Sequence, residues 1–302
     1  MLPGIVALGF ATSLNAQTAA PPPLPPLDLG QTNILDGEGR PGALLELIAF
    51  GSTADRLADA AGGAAPGTNR QRVASFIVHP IFVADATIAG AHPGIELLVP
   101  VSRVENQFAA GGSGVHIGFS DITVAPFLQW SRSDPGPGSV SARLALQIVA
   151  PVGDHAPVRP VNTGQGGWQL SPYLAVTWRA SRRWEVSGRA IYDWSASATS
   201  RMNGCAQIRV QPGDLVAVNL SASYALSDAS RLGIGGYGLQ QLSLSRSARA
   251  SLPESRQRIY GLGPVARWHV GNVTLAPAAF VEFGARNRPQ GVSLNLRLQR
   301  PF

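Results

Sequence analysis

The amino-acid sequence predicts an all-β fold in which about twelve antiparallel strands close into a transmembrane barrel. Three observations predict this fold class. Apolar and polar side chains alternate along many segments, long and short connections take turns, and tryptophans fall at segment ends. Successive side chains of an extended strand point to opposite faces, so such a strand has one apolar and one polar face.

The C-terminal segment, GVSLNLRLQRPF, carries the alternation most clearly. One parity of this segment is apolar, with Val292, Leu294, Leu296 and Leu298. The other parity is polar, with Ser293, Asn295, Arg297 and Gln299. Taken alone, such a strand fits a soluble β-sandwich as well as a membrane barrel.

Twelve segments of this kind are separated by clusters of Gly, Pro, Asp and Ser, as expected where turns join strands. We predict strands at 42–51, 71–88, 94–103, 119–130, 139–150, 169–179, 183–195, 214–226, 231–242, 256–270, 272–284 and 291–302. No stretch shows a convincing helical period. The nearest candidate is one or two helical turns between Ala54 and Ala61.

The connections between the predicted strands separate a barrel from a sandwich. Those at 52–70, 104–118, 151–168, 196–213, 243–255 and 285–290 are mostly long, and those between them are short. Strict alternation of this kind is typical of an outer-membrane barrel, which has long extracellular loops and short periplasmic turns. A sandwich has no reason to sort its loops in that way.

The tryptophans fit the two water interfaces of a membrane, where aromatic side chains form girdles. Trp184 and Trp194 share the apolar face of one strand, and on a tilted strand they lie ~23 Å apart along the membrane normal. The apolar band of such barrels is ~25 Å tall. The predicted girdle consists of Trp130, Trp178, Trp184, Trp194 and Trp268.

The opposite face of these strands is charged, which a sandwich core could hold only with costly unpaired burial. A water-filled lumen can hold such a face. The residues predicted to line the lumen are Asp121, Arg143, Arg179, Glu185, Arg189, Asp193, Asn219, Arg267, Glu282, Arg286 and Arg297. Arginine exceeds carboxylate in this set, which favours a modest anion preference.

Three parts are expected along the chain: a signal peptide at 1–20, a proline-rich leader at 21–41 and the barrel at 42–302. Residues 5–11 are an apolar core followed by small residues, with a cleavage site after Ala16. The PPPLPPLDLG leader favours an extended chain. One hypothesis is that the leader folds into the lumen as a plug.

Composition excludes several classes of function. All 24 basic residues are Arg, so there is no lysine for a Walker-type phosphate loop, a Schiff base or a Ser-x-x-Lys pair. The arginines are scattered singly, so the net charge of +6 does not indicate nucleic-acid binding. Cys205 is the only cysteine, and the five histidines show no ligand spacing. We therefore expect no cofactor, no metal site and no nucleic-acid partner.

Several segments resemble the outer-membrane transporter family named after the MetA-pathway of phenol degradation. They are WEVSGRAIYDW (184–194), the stretch at 213–242, GLGPVARWHV (261–270) and FGARNRPQGVSLNLRLQRPF (283–302). ADRLADAAG (54–62) and FSDITVAPFLQW (119–130) match less closely, and Ser120-Asp121 replaces the usual Gly-Asp. The resemblance implies an outer-membrane barrel that passes aromatic or other hydrophobic small molecules, and it brings no catalytic residues.

We therefore predict a passive channel in the outer membrane of a Gram-negative bacterium, and not an enzyme. Its expected partners are outer-membrane lipid, a small-molecule solute and the barrel-assembly machinery, which reads the terminal aromatic Phe302. Two alternatives stay open. One is a structural or adhesive barrel with a plugged lumen, and the other is a lipase-like hydrolase using Asp154 and His155, although no nucleophile elbow is visible.

Overall fold

The computed structural model describes residues 28–131, 136–202, 206–247 and 250–302. The predicted signal peptide, the first part of the leader and Cys205 lie outside these residues. Across the four described ranges, no helix is long and apolar enough to cross a membrane. The described chain is built from strands joined by turns and loops.

The described residues form sixteen strands. Their bounds are β1 (Gly42–Leu57), β2 (Asn69–Val83), β3 (His92–Phe108), β4 (Gly114–Phe119), β5 (Ile122–Trp130), β6 (Val140–Ala150), β7 (Gln169–Trp178), β8 (Trp184–Ser195), β9 (Ala198–Met202), β10 (Ala206–Gln211), β11 (Leu215–Ser227), β12 (Ser230–Gln241), β13 (Arg246–Ser247), β14 (Arg258–Val270), β15 (Val273–Arg286) and β16 (Pro289–Pro301).

The main sheet closes on itself as an antiparallel barrel with twelve strand positions. Neighbouring strands follow the order β1, β2, β3, β5, β6, β7, β8, β11, β12, β14, β15 and β16, and β16 pairs with β1. The short strand β4 also pairs with β3 and shares one position with β5. Closure gives each of the twelve strands in this order two hydrogen-bonded neighbours, which satisfies the backbone groups that hydrocarbon would leave without partners.

The outer face of the barrel is apolar and exposed, while the inner face is polar and buried. On β16, Leu294 is 65% exposed, whereas Ser293 and Asn295 on either side of it are 4% and 5% exposed. Val281 and Ile234 on other strands are also more than 60% exposed. Exposed apolar surface on this scale marks a surface for lipid. This confirms the predicted barrel, whose outer face is apolar and whose inner face is polar.

Some sequence predictions about the elements are wrong. Ala54 to Leu57 belong to strand β1 rather than to a helical turn. The small sheet formed by β9, β10 and β13 in the extracellular loops was not predicted. Long and short connections do not alternate strictly, because only Asn287 and Arg288 separate β15 from β16 at the extracellular end. Most of the remaining extracellular connections, such as 151–168, are long.

Candidate functional site

The lumen is the candidate site, because the buried polar side chains of the barrel converge there. Strand β8 illustrates how the sequence places them. Glu185, Arg189 and Asp193 are at most 6% exposed, and the alternate residues Trp184, Val186 and Tyr192 face outward. A strict period of two puts all the charge of this strand on the inner face.

Residues 28–41 of the leader lie inside the lumen, against the inner faces of β5–β8 and β11. We call these faces the leader wall. The backbone N–H of Gly37 donates to Thr177 Oγ1 at 2.9 Å, and its carbonyl oxygen accepts from Gln129 Nε2 at 2.8 Å. Further up the lumen, Gly30 N–H donates to Asn219 Oδ1 at 3.0 Å. Main-chain hydrogen bonds along its length therefore hold the leader to the wall.

Glycine allows the leader to approach the inner face of the barrel closely. A Cβ atom added to Gly37 would lie 2.5 Å from the backbone nitrogen of Thr177, too close for any side chain. Gly30 has φ +67°, in the left-handed region, and an added Cβ would meet the rings of Phe280 and Tyr237. Gly37 fits only glycine because a side chain would clash with the neighbouring backbone. At Gly30 a side chain would clash with the two rings, and the left-handed backbone conformation also favours glycine.

Ion pairs reinforce the leader on this wall. The guanidinium of Arg189 donates to both carboxylate oxygens of Asp36, at 2.9 and 3.0 Å, and to Asp28 Oδ2 at 3.3 Å. Arg189 also lies over the Tyr173 ring, 4.1 Å from its centroid. A two-pronged arginine–carboxylate pair of this geometry is among the stronger polar contacts in proteins.

A second pair lies at the periplasmic end of the leader wall. Arg179, in the turn after β7, donates to the two carboxylate oxygens of Glu38 at 2.6 and 2.8 Å. Hydrogen bonding to Glu38 raises the pKa of Arg179 above its ordinary value. The leader thus contributes three carboxylates, from Asp28, Asp36 and Glu38, to the arginines of the barrel.

A buried network joins the leader wall to the opposite side of the barrel. Glu96 on β3 accepts from Arg143 at 3.2 Å and from the Tyr173 hydroxyl at 2.8 Å. His79 lies between two carboxylates, with Nδ1 2.8 Å from Glu46 and Nε2 3.3 Å from Glu96. The described residues include no group of three or more His, Cys, Asp or Glu side chains placed to hold a metal ion.

A cavity of about 460 Å³ remains in the lumen beside the leader. It lies against the inner faces of β14–β16 and β1–β3, which we call the cavity wall. At the periplasmic end it reaches the β14–β15 turn at Gly271 and Asn272. Its lining combines apolar side chains such as Ile48 and Leu98 with charged ones such as Arg267 and Arg297.

Towards the extracellular end, the inner face becomes apolar. Ile191, Leu215, Leu239 and Ile259 are each at most 2% exposed and pack into one cluster, which Leu29 of the leader also contacts. The interior is therefore lined by apolar side chains in this part of the barrel. The polar cavity lies in the periplasmic half.

The residues that the sequence assigned to the lumen lie in different places. Seven are on the inner face: Arg143, Glu185, Arg189, Asp193, Asn219, Arg267 and Arg297. Arg179 lies just beyond strand β7, and Glu282 accepts from the Tyr237 hydroxyl at 2.7 Å. Asp121 is buried between β4 and β5, where it accepts from the N–H groups of Gly153 and Gln165 and so anchors an extracellular loop.

Arg286 does not line the lumen, and its assignment is wrong. The register between β14 and β15 shifts near Arg258 and Tyr260, opposite Gly284, which has φ +64°. One extra residue in a strand inverts the face of every residue that follows. Ala285 is consequently buried at 2% exposure, and Arg286 points outward.

The sequence reasoning missed several lumen groups, above all Glu46, His79 and Glu96. The parity signal at His79 was obscured because its inner-face neighbours, Ile77 and Ile81, are as apolar as its outward neighbours. The partners of Arg189 were out of reach for a different reason. Asp36 is 153 positions away in sequence, and no local pattern links the two.

The predicted girdle tryptophans lie on the outer face near the strand ends. Trp178, Trp184 and Trp268 are 40–52% exposed at the periplasmic ends of their strands. Trp194 lies near the other end of β8, and Trp130 donates its ring N–H to the carbonyl oxygen of Ala89 at 3.4 Å. Rings placed in this way suit the interfacial region of a bilayer.

The terminal Phe302 lies beside the start of β1. Its N–H donates to the carbonyl oxygen of Ala43 at 2.9 Å, and its ring is 72% exposed. The guanidinium of Arg300 lies 5.1 Å from the ring centroid. The C-terminus therefore takes part in closing the barrel.

Two motifs that invite catalytic or nucleotide-binding interpretations have other roles. GIGGYG (233–238) lies within strand β12, where a Cβ at Gly235 would meet Val265 at 2.6 Å, so the small residue relieves crowding inside the barrel. The ring nitrogens of His155 lie 3.2 and 3.0 Å from the carbonyl oxygens of Gly164 and Thr199. Carbonyl oxygens only accept, so this ring is used as a donor in a loop contact.

Comparisons with solved structures show the same fold. The COG4313 outer membrane channel from Pseudomonas putida F1 superimposes with a TM-score of 0.78 at 18% identity, over 89% of this chain and 99% of that one. The transport unit of the autotransporter AIDA-I from Escherichia coli gives a TM-score of 0.51 at 12% identity, over 89% and 93%.

Family membership comes from the sequence itself. No curated protein matches the chain. A family model matches residues 54–298, which include all of the barrel except its two ends. The chain belongs to the family described as MetA-pathway of phenol degradation.

Proposed function

We propose that the protein is a passive channel of the bacterial outer membrane for small aromatic or similarly apolar molecules. The observation that carries the proposal is the cavity of about 460 Å³ inside a closed barrel. Ligand pockets of a few hundred Å³ that combine apolar walls with a few polar groups are typical of small-molecule sites. The family description, which refers to phenol degradation, supports an aromatic solute.

In this proposal, the leader narrows the path without sealing it. A twelve-strand barrel lies between eight strands, whose interior is filled by side chains, and sixteen, which leave an open aqueous channel. Residues 28–41 occupy one side of the lumen, and the remaining space on the other side would be the solute path. The apolar inner face towards the extracellular end would favour solutes with little charge or with an apolar body.

Targeting is part of the proposal. A signal peptide at 1–20 would direct export, lipid would contact the apolar outer face, and the assembly machinery would recognise Phe302. Replacing Phe302 by Ala should lower the amount of folded protein in the outer-membrane fraction, because the exposed terminal ring is removed while the barrel interior is unchanged. Normal assembly of the F302A variant would contradict this part.

The experiment is uptake into liposomes that contain the purified protein. The panel would include phenols, aromatic acids and sugars of similar size, with protein-free liposomes as the control. Entry of aromatic solutes ahead of sugars is expected. A folded barrel, verified by its heat-dependent migration on a gel, that passes none of these solutes would favour a structural or adhesive protein with a plugged lumen.

A further inference from the structure

We propose that the cavity holds a binding site for a small aromatic monocarboxylate, with Arg267 as the residue that pairs with the carboxylate. This inference deepens the proposed function and rests on it, because it names the class of solute that the channel selects. It is carried by the charge balance of the cavity, by the geometry of the cavity wall and by the apolar surface opposite.

The charged groups around the cavity do not cancel. Five carboxylates and six arginines line it: Asp28, Asp36, Glu38, Glu46 and Glu96, with Arg40, Arg143, Arg179, Arg189, Arg267 and Arg297. Each carboxylate lies within 4.0 Å of an arginine. The positive charge left over is therefore carried by arginines that have no acidic partner.

The two cavity arginines without an acidic partner among the described residues are Arg40 and Arg267, and Arg267 is the one on the inner face of the barrel. No described carboxylate oxygen lies within 4.0 Å of its guanidinium, and its Nε is buried without any hydrogen-bond partner among the described residues. Arg40 is exposed at the periplasmic end of the lumen, just before strand β1, where water can solvate it. A partly buried cation without a partner is unfavourable by itself, and an incoming anion would reduce that cost.

The backbone register places a second arginine in the same row. Ala276 on β15 pairs with Arg297 on β16, and the neighbouring pairs Val265–Ala278 and Trp268–Leu275 place Arg267 on the other side of Ala276. Two strand spacings separate the Cα atoms of the two arginines, roughly 10 Å. Because the methyl of Ala276 fills little of the space between them, both guanidinium groups can face one bound carboxylate.

Other groups in this region also lack partners. Both polar atoms of the Asn295 side chain and Nε of Arg297 are buried and make no hydrogen bond to any described residue. Arg297 does use its other nitrogens, donating to the carbonyl oxygen of Gln31 at 2.6 Å and lying 3.6 Å from Glu46. Orphan polar atoms are rare in buried positions, so several in one region point to a ligand or to water.

The remainder of the cavity is apolar enough to hold a ring. Ile48, Ile77 and Leu98 form a buried cluster on β1–β3, and Ile48 and Leu98 line the cavity. Ile34 and Leu35 of the leader line it from the other side. An inorganic anion would leave these apolar side chains without a contact. An aromatic carboxylate would contact them with its ring and would pair with Arg267 and Arg297 through its carboxylate. We therefore assign the site to an aromatic acid.

The test compares benzoate with benzamide, a neutral molecule of nearly the same shape. Binding to the purified protein in detergent would be measured by calorimetry, and entry would be measured in liposomes. Wild-type protein should bind benzoate more tightly than benzamide. Arg267→Gln should weaken benzoate binding about tenfold or more, because a charge-assisted hydrogen bond is lost, and should weaken benzamide binding much less, because benzamide carries no charge.

Arg286→Gln is the matched control, since it removes the same charge from an exposed outer position. It should leave benzoate binding unchanged. Arg267→Lys should restore part of the affinity, because it retains the charge without the planar pair of donors. Sulfate should not compete effectively with benzoate; equal competition by sulfate would show a site for any anion and would overturn the assignment to aromatic acids.

The outcomes separate this inference from the proposed function. If benzamide and phenol enter liposomes but benzoate binding does not respond to Arg267→Gln, the carboxylate site is refuted while the channel stands. If benzoate binds and the response to Arg267→Gln is present, but no solute enters liposomes, the channel is refuted and the site stands.

Discussion

Arginines on the two sides of the lumen differ in whether an acidic side chain pairs with them, and Arg189 and Arg267 are the two extremes. On the leader wall, Arg189 and Arg179 are paired with carboxylates supplied by residues 28–41. On the cavity wall, Arg267 has no carboxylate within 4.0 Å among the described residues, although it lies on the same kind of strand. The alternation of polar and apolar residues along a strand thus places a charged side chain inside the barrel. Whether that side chain has a partner of opposite charge depends on residues that are distant in the sequence.

This difference gives the leader wall a structural role and leaves the cavity wall to face the solute. A buried pair holds the leader in one position, because removing either partner leaves an isolated charge in a poor solvent. A buried arginine that lacks a partner contributes nothing of this kind to folding. The two walls should therefore respond differently to the same substitution of arginine by glutamine.

The largest effect is expected at Arg189. Arg189→Gln leaves Asp28 and Asp36 without their cation, so the free energy of unfolding should fall by about 3 kcal/mol if the leader stays in place. If the leader instead leaves the lumen, the loss is smaller and channel conductance rises. Urea unfolding in lipid vesicles and planar-bilayer recording measure the two quantities. A variant with wild-type stability and wild-type conductance would contradict the role given to this pair.

A smaller effect is expected at Gly37. Gly37→Ala adds a methyl 2.5 Å from the backbone of Thr177, so the leader must shift and the free energy of unfolding should fall by about 1 to 3 kcal/mol. Gly136→Ala is the matched control, because an added Cβ at Gly136 meets nothing within 4 Å. Equal effects of the two substitutions, measured by the same urea titration, would show that the leader does not press against this wall.

The smallest effect on stability is expected on the cavity wall. Arg267→Gln removes a partly buried charge without a partner, so the free energy of unfolding should stay unchanged or rise by about 1 kcal/mol. The same titration measures it beside Arg189→Gln. A clear loss of stability in R267Q would mean that Arg267 has a structural partner, and the contrast between the two walls would disappear.

The sequence predicted the barrel well because its main signals are local. Each predicted strand has a counterpart in the barrel, and the C-terminal strand, predicted at 291–302, runs from Pro289 to Pro301. Burial follows parity wherever the strand is regular, as at Arg189 and Asn219. It fails at Arg286, because the register irregularity at Gly284 reverses the faces and alternation carries no sign of it in advance.

The interior of the lumen was less predictable, because it depends on contacts between distant residues. The sequence raised a leader plug as a hypothesis, but the pairing of Asp36 with Arg189 joins positions 153 residues apart. Likewise, Glu46, His79 and Glu96 come from three different strands. Their convergence follows from barrel closure and register, and neither can be read from any one segment.

Removal of the leader tests whether residues 28–41 occupy part of a lumen that otherwise conducts. Single-channel conductance would be measured in planar bilayers for the full chain and for a variant that lacks residues 28–41. Folding of both would be verified by heat-dependent migration. We expect higher conductance without the leader, and the same conductance in the two folded proteins would show that residues 28–41 do not narrow the conducting path.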